Sequence, residues 1–416
     1  MTAGWRRVFT GMAVVAAVVG GSSTASAADG PQRVSGDEVP RATAAGTPDP
    51  GAAIAYVPMP DLGLAQRRSD GGLNLARIPL SDLEADFGQA SSVRTLPATT
   101  HFSYDRSRVV AGDYADFTPD DDGTADHVLW HLAADGGVLV YGVAGGSTAP
   151  PQLLRTLPKS AGWSWADSRP IAGDVNGDGW DDLVIVHRGA PGTVVVWAMI
   201  SDGTTLTAPV RWGTAAYDFG VTRNYVADAD GDGFEDLITT ARGTTSAVAF
   251  TTSVLLTNPT GTAAVRSPVA AGTYKTSAGW SWAYSRQLAG DVDGDGLVDL
   301  VTVHRSGTGG VIVWVQASCS PAAGKVCWKT PVRWQTLAGG WSFLDSRQYL
   351  ADTNGDYVDD LVSVHRTPNG IIVWRHVSTG AGLRAPARLA TLPITAGWNF
   401  SSTRESVADT WGSVGP

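Results

Sequence analysis

Apolar residues in this 416-residue chain fall in short bursts that recur in a fixed order. Leu183-Val-Ile-Val-His187, Leu300-Val-Thr-Val-His304 and Leu361-Val-Ser-Val-His365 each end on His-Arg. A turn follows, then a second burst such as Thr193-Val-Val-Val-Trp197, Val311-Ile-Val-Trp314 or Ile371-Ile-Val-Trp374. Another segment comes after it: Pro209-Val-Arg-Trp212, Pro331-Val-Arg-Trp334 or Ala387-Arg-Leu-Ala-Thr-Leu-Pro393. Runs this short, rich in Val and Thr and bounded by Gly and Pro, predict strands, and no long stretch of period 3.6 competes. With 50 glycines and only 17% charged residues, the chain reads as all-β.

Between bursts lie four acidic loops: Asp174-Val-Asn176-Gly-Asp178-Gly-Trp-Asp-Asp182, Asp228-Ala-Asp230-Gly-Asp232-Gly-Phe-Glu-Asp236, Asp291-Val-Asp293-Gly-Asp295-Gly-Leu-Val-Asp299 and Asp352-Thr-Asn354-Gly-Asp356-Tyr-Val-Asp-Asp360. Oxygen-bearing side chains at positions 1, 3, 5 and 9 converge only if the chain coils tightly, which glycines at positions 4 and 6 permit. Such a set suits calcium. At ~4 Å two like charges cost roughly 1 kcal/mol in water and about 4 at an effective dielectric of 20, so the loop is strained without a cation. An EF-hand would need a Glu at position 12 and flanking helices, but position 12 is Ile185, Thr239, Thr302 or Ser363 and strands follow. A plain Asp-Gly turn needs one Asp and one Gly, whereas these loops keep three further oxygen positions.

Ser or Thr followed by Arg stands five residues before the first loop aspartate. The arginines are Arg108, Arg169, Arg223, Arg286, Arg347 and Arg404, and the aspartates Asp113, Asp174, Asp228, Asp291, Asp352 and Asp409. A spacing of about sixty residues suits a four-stranded propeller blade. The last unit keeps only its first strand, residues 404–410, while Ala53-Ile-Ala-Tyr-Val57, Gly72-Leu-Asn-Leu-Ala76 and Ser92-Val-Arg-Thr-Leu-Pro97 supply its second, third and fourth. Six blades closed by pairing N- and C-terminal segments are expected, with seven as the alternative if the leader folds. Closure would remove exposed edge strands.

The N-terminus has Arg6-Arg7, an apolar run from Gly11 to Gly20 and Ala25-Ser26-Ala27, the pattern of a secretory signal over residues 1–27. The apolar run is too short to span a bilayer. Residues 28–50 read as a flexible leader and 51–412 as the propeller. The two cysteines, Cys319 and Cys327, can staple one hairpin in an oxidising, extracellular setting. A net charge of −10 argues against nucleic acid. A monomer is expected.

His187, His304 and His365, with His131 at the matching place, repeat from unit to unit, which argues for one structural contact in each rather than catalysis. The repeated arginines, by the same logic, are expected to bond blade to blade. Gly162-Trp-Ser164-Trp165 resembles a nucleophile elbow, but it recurs at Ser281 and Ser342 without a unique His and acid. Asp61, Glu84, Asp86 and His101 are the least repeat-like titratable residues, and they are scattered. Among the 16 tryptophans, Trp163, Trp165, Trp280, Trp282, Trp341 and Trp398 lie on the connections between units. They either stack on sugars or wedge neighbouring blades together.

With Ala172-Gly-Asp-Val-Asn-Gly-Asp-Gly-Trp-Asp-Asp-Leu-Val-Ile-Val-His-Arg-Gly189-Ala190-Pro191 in view, the chain resembles the FG-GAP or VCBS-type repeat family, known from the propeller of integrin α chains. The resemblance covers residues 51–412. It implies calcium in each good loop, with the position-7 carbonyl of Trp180, Phe234, Leu297 or Val358 as a further ligand. Tyr357 departs from the position-6 glycine and could distort the last site. The first loop, Asp113 to Asp126, carries five inserted residues, and Asp120 and Asp122 would fill its positions 3 and 5 as a fifth candidate site. No site is expected at Asp409. The expected function is a secreted, non-catalytic binding or adhesion module with structural calcium and a protein or glycan ligand. A lectin using the inter-blade tryptophans, a polysaccharide-active enzyme and a structural envelope protein are the alternatives.

Overall fold

A computed structural model describes residues 60–80, 88–114, 126–145, 149–202, 205–257, 268–319 and 325–408. Three strands come first, β1 (Asp61–Arg67), β2 (Leu73–Pro79) and β3 (Ser91–Leu96). Blade 1 is β4 (Ser107–Gly112), β5 (Asp126–Leu132), β6 (Val138–Val143) and β7 (Gln152–Leu157). Blade 2 is β8 (Ser168–Gly173), β9 (Asp182–Arg188), β10 (Val194–Met199) and β11 (Val210–Ala215). Blade 3 is β12 (Thr222–Ala227), β13 (Asp236–Arg242), β14 (Val248–Leu255) and β15 (Val269–Lys275). Blade 4 is β16 (Ser285–Gly290), β17 (Asp299–Arg305), β18 (Val311–Gln316) and β19 (Val332–Leu337). Blade 5 is β20 (Ser346–Ala351), β21 (Asp360–Thr367), β22 (Gly370–His376) and β23 (Ala387–Pro393), and β24 (Thr403–Ala408) ends the described chain.

The sixth blade is a four-stranded sheet in the order β24-β1-β2-β3, so both ends of the chain share it. β24 pairs antiparallel with β1 from Asp61↔Ala408 to Gln66↔Thr403. The first strands of the blades, β4, β8, β12, β16, β20 and β24, touch in a closed cycle and line the axis. The cycle is complete with six blades. One expectation is corrected: the second strand of the closing blade is Asp61–Arg67 rather than Ala53–Val57, which lies outside the described residues. The reason is register. Asp61-Leu-Gly-Leu-Ala-Gln-Arg67 repeats the frame of Asp182-Leu-Val-Ile-Val-His-Arg188, with Asp first and Arg last.

Each blade buries both flat faces, which is why its second and third strands are apolar at consecutive positions. In β9, Leu183 and Ile185 join Val128 and Trp130 of blade 1, while Val184 and Val186 join Leu237 of blade 3. Each such side chain removed from water contributes roughly 1.5–3 kcal/mol. The outermost strand pair of every blade carries a register shift, as at Val196/Trp197, Val313/Trp314 and Val373/Trp374. A bulge there twists the open edge and discourages edge-to-edge pairing.

Strand direction sorts the connections. The acidic loops and the links from third to fourth strands share one end of the ring, the loop face; the remaining turns and the Gly-Trp links share the other, the connection face.

One position breaks the repeat. Where blades 2 to 5 place Leu183, Leu237, Leu300 and Leu361, blade 1 places His127, which is fully buried with no partner for either ring nitrogen among the described residues. Burial lowers its pKa to about 4. A folded pKa below the unfolded value contributes stability that is present above about pH 6.5 and lost as the pH falls towards about 4. His127→Leu is therefore expected to stabilise the protein by about 1 kcal/mol or more near neutrality and by more in acid. Urea midpoints at about pH 7 and about pH 5 check this; a variant more acid-sensitive than the parent would contradict it.

Candidate metal centres and inter-blade contacts

In blade 2, Asp174 at position 1 turns both oxygens inward and accepts from the backbone: Oδ1 from Gly177 (2.6 Å) and Asp178 (3.1 Å), Oδ2 from Gly179 (2.7 Å). Asn176 Oδ1 accepts from Asp178 N (2.8 Å), and Asp178 Oδ1 from Trp180 N (3.0 Å). The pattern repeats. Asp228, Asp291 and Asp352 each accept from the backbone N–H groups of positions 4 and 6 at 2.8 Å. Position 5 accepts from position 7 in each loop: Asp232 from Phe234 (3.2 Å), Asp295 from Leu297 and Asp356 from Val358 (both 3.0 Å). The coil demands a left-handed residue at position 6. Gly179, Gly233 and Gly296 have φ of 88°, 85° and 80°, and Tyr357 takes the same conformation with φ 63°, keeping its N–H on Asp352. The tyrosine therefore preserves the loop, at a steric cost of about 1–2 kcal/mol for a left-handed L-residue.

The position-9 aspartate has two jobs. One oxygen of Asp182, Asp236, Asp299 and Asp360 accepts from the following link on the loop face, at Ser201, Thr257, Ser318 and Ser378 (2.6–2.7 Å). Its other oxygen turns back to position 2, accepting from Val175, Ala229 or Val292 N–H or from the Thr353 hydroxyl. All four are 0% exposed. Burial pushes their carboxyls up, Asp236 to about 9, Asp299 to about 8 and Asp360 to about 6, with Asp182 well above the usual range. Asp228 and Asp291 rise to about 6, and Asp174 and Asp352 also rise, by burial first. Among the described residues no Lys or Arg pairs with these position-9 carboxylates. In the closing blade the matching residue, Asp61, does have a cation: Arg77 Nη1 lies 3.1 Å from both its oxygens. Two sets, Asp228/Asp230/Asp236 and Asp291/Asp293/Asp299, bring one oxygen each within 4.8 Å of one another. Carboxylate, amide and carbonyl oxygens without sulfur or imidazole fit a hard divalent cation.

In the first loop Asp113 and Asp126 are described, while Asp120 and Asp122 lie outside the described residues, as does Asp409. Asp126 makes the position-9 contact, its Oδ1 accepting from Gly145 N–H at 3.0 Å.

Positions 7 and 8 tie successive loops together. Phe234, Leu297 and Val358 approach the position-4 glycine of the preceding loop, Gly177, Gly231 and Gly294. At position 8, the N–H groups of Asp181, Glu235 and Asp359 donate to the carbonyls of Asp113, Asp174 and Asp291 (2.6, 3.0 and 2.7 Å). Asp181 also accepts from Asp113 N–H at 2.7 Å.

The six arginines form a second ring near the connection face. Each guanidinium lies 3.9–4.2 Å over an aromatic ring of the next blade: Arg108 on Trp165, Arg169 on Phe219, Arg223 on Trp282, Arg286 on Phe343, Arg347 on Phe400 and Arg404 on Tyr104. Each also donates to that aromatic's carbonyl and to the Ser or Thr heading the next inner strand. The last link, Arg404 to Tyr104 and Ser107, closes the circle. Among the described residues only Arg347 of the six adds a carboxylate, Glu405, whose oxygens lie at 2.9 and 2.6 Å and whose side chain is 0% exposed.

The connection tryptophans are engaged in packing. Trp163 lies 5.2 Å from Trp197 and 5.5 Å from His187; Trp280 contacts Phe250, Tyr274, His304 and Trp314; Trp341 contacts His365, Trp374 and His376. Trp165 and Trp282 lie beneath arginines, and Trp398 packs on the core between blades 5 and 6. The repeated histidines take structural contacts, as in Ser107 Oγ–His131 Nδ1 and Ser285 Oγ–His304 Nδ1, both 2.9 Å. Of the ring-unique residues, Asp61 pairs with Arg77, and His101 packs among Phe102, His131 and Tyr141. Glu84 and Asp86 lie outside the described residues. Cys319 and Cys327 form a disulfide on the loop face of blade 4, and Ser318 beside it bonds to Asp299. No helix among the described residues is long and apolar enough to cross a membrane.

Six four-stranded blades carrying one repeated sequence unit, and closed through a shared terminal blade, define a repeat β-propeller. Residues 174–239 match the family described as FG-GAP-like repeat, and that match together with the six blades supports the likeness to FG-GAP/VCBS-type propellers. No curated protein matches the sequence significantly. Among solved structures, an arginine-to-alanine mutant of AofleA from Arthrobotrys oligospora overlaps 85% of this chain and 90% of its own, at 11% identity and TM-score 0.48. A mutant of Aleuria aurantia lectin in complex with alpha-methyl-L-fucoside overlaps 82% and 100%, at 11% identity and TM-score 0.39. A glycoside hydrolase family 43 arabinoxylan arabinofuranohydrolase from Bacillus subtilis, in complex with cellotetraose, overlaps 83% and 85%, at 10% identity and TM-score 0.33.

Proposed function

We propose that this protein is an exported, calcium-stabilised propeller acting as a non-catalytic binding or adhesion module, with protein or glycan as ligand. The observation that carries the calcium reading is the set of buried position-9 aspartates with no cationic side chain beside them among the described residues, where the matching Asp61 has Arg77. Two of these aspartates already stand with two more carboxylates inside 4.8 Å. Calcium would sit among the side chains of positions 1, 3, 5 and 9 in the four regular loops, holding each inner strand to the second strand of its blade. The basic and apolar N-terminus supports export, as does the disulfide. Repetition speaks against catalysis: the His residues pack on a connection tryptophan and the Arg residues on an aromatic ring of the next blade, in blade after blade.

Calorimetric titration of metal-stripped protein tests the assignment. Four calcium ions per chain are expected for the regular loops, and Asp236→Asn or Asp299→Asn should each remove one, because an amide loses the charge that holds a hard cation. Absence of saturable binding, or a stoichiometry unmoved by both substitutions, would sink it. Depolymerisation of a polysaccharide above background by the calcium-loaded protein would overturn the non-catalytic part.

A further inference from the structure

The axial cavity is electrically polarised. It encloses about 660 Å3 and is lined by Arg223, Arg286 and Arg347 towards the connection face and by Asp181, Glu235 and Asp359 towards the loop face. Arg108, Arg169 and Arg404 occupy the same step of their inner strands, so six guanidiniums ring the axis at one level. Their only carboxylate among the described residues is Glu405, held by Arg347. Backbone carbonyls and aromatic faces satisfy hydrogen bonds and lend partial negative charge, but they neutralise none of the other five.

Donors remain. Of the five N–H groups of a guanidinium, Arg223 commits three, to Ser285 O, Trp282 O and Gln287 Oε1, and Arg286 three, to Ser346 O, Phe343 O and Gln348 Oε1. Gln287 lines the same cavity, is 1% exposed and keeps its Nε2 without a partner. The guanidiniums feel each other: burial, then the charges of Arg169 and Arg404, lower Arg108 to about 10.

We propose that the channel mouth on the connection face is an oxyanion site, binding a sulfate or carboxylate group through Arg223, Arg286 and the Gln287 amide. A ring of like charge around a low-dielectric pore focuses its field along the axis, as in anion-selective pores. The three acidic residues bar the opposite end, so the anion enters from the connection face. The group can come from a free ion or from an acidic saccharide chain, and the two present the same chemistry to the arginines.

The test is titration of calcium-loaded protein with sodium sulfate and with a sulfated disaccharide, at constant ionic strength in chloride. Concentrations stay below about 10 mM, where the general stabilising effect of sulfate is small. Saturable binding is expected, weakened about tenfold or more by Arg286→Gln and by Arg223→Gln and unchanged by Arg242→Gln, an exposed arginine on β13 away from the cavity. Arg286→Lys, which keeps the charge but loses the fork, should show intermediate affinity and guards against a variant that fails to fold. Tighter binding of the disaccharide assigns the site to a saccharide, equal binding to the free ion; both support it. No saturable binding to the folded parent, or equal loss in Arg242→Gln, overturns the proposal. Calcium is fixed throughout, so neither result touches the metal assignment.

Discussion

Stripped of calcium at about pH 8, the protein is expected to melt about 10–15 °C lower than in about 1 mM calcium. The size follows from mass action: a site with a dissociation constant near 10 μM gains about 2.7 kcal/mol at that concentration, and four sites about 11. A ring of this length has an unfolding entropy near 0.7 kcal/mol/K, which converts that sum into about 15 °C. The effect should depend on pH, with a sign fixed by the carboxylates. Asp228 and Asp291 are raised to about 6, Asp299 to about 8 and Asp236 to about 9, by burial before any neighbouring charge. A carboxylate whose folded pKa lies above its unfolded value binds protons more tightly when folded. The stability it contributes is complete below about pH 4 and is lost as the pH rises through the folded value. The share of stability that these carboxylates contribute to the metal-free ring should therefore fall from about pH 4 to about pH 9, while calcium, which needs the ionised form, binds better over the same range. Melting curves with EDTA and with re-added calcium, taken at about pH 5 and about pH 8, decide it. A chelator effect that vanishes at the higher pH, or shrinks as the pH rises, would refute the assignment.

What could be read in the sequence was whatever repeats. The acidic loops and the inner-strand arginines stand at a constant offset, so one copy explains the others, and the blade count follows from where the copies stop. Asp61 escaped because its copy is split between the chain ends: the strand that should follow Asp409 lies nearly 350 residues earlier. Its frame, Asp-Leu at the start and Arg at the end, was nevertheless a usable signal. The roles of the connection tryptophans were not legible. A ring that wedges two blades and a ring that stacks on a sugar obey the same sequence pattern, and only Trp163 beside Trp197 and His187, or Trp165 beneath Arg108, separates the two. The inter-loop contacts at position 8 were missed for another reason. The acid of one blade answers to a glycine some seventy residues away in the preceding one, and neither is unusual alone.

That long-range pair predicts a sign change. A Cβ placed on Gly290 would lie 2.1 Å from Asp359 Oδ2; on Gly173, 2.3 Å from Glu235 Oε2; on Gly112, 2.8 Å from Asp181 Oδ2. Each carboxylate sits over the glycine that ends the preceding inner strand. Blade 4 has Val298 at position 8, and the inner strand before it ends in Ala227; the two pack in one apolar cluster. The molecule thus contains both solutions, acid over glycine and valine over alanine. Gly290→Ala should destabilise by about 3 kcal/mol, because Asp359 is a short side chain whose own N–H is fixed on Asp291 O at 2.7 Å and so has little room to retreat. In the Asp359→Val background the same change should become neutral or stabilising by about 0.5–1 kcal/mol, since alanine loses less chain entropy than glycine in a strand whose φ it can adopt. The coupling between the two substitutions is then about 3 kcal/mol, well beyond the few tenths expected of independent sites. Denaturant midpoints of the four proteins of the cycle, all calcium-loaded, measure it. Additive effects would mean that the cost of a Cβ on Gly290 is set by something other than the carboxylate, such as Leu350 Cδ1, which lies 3.0 Å from that Cβ.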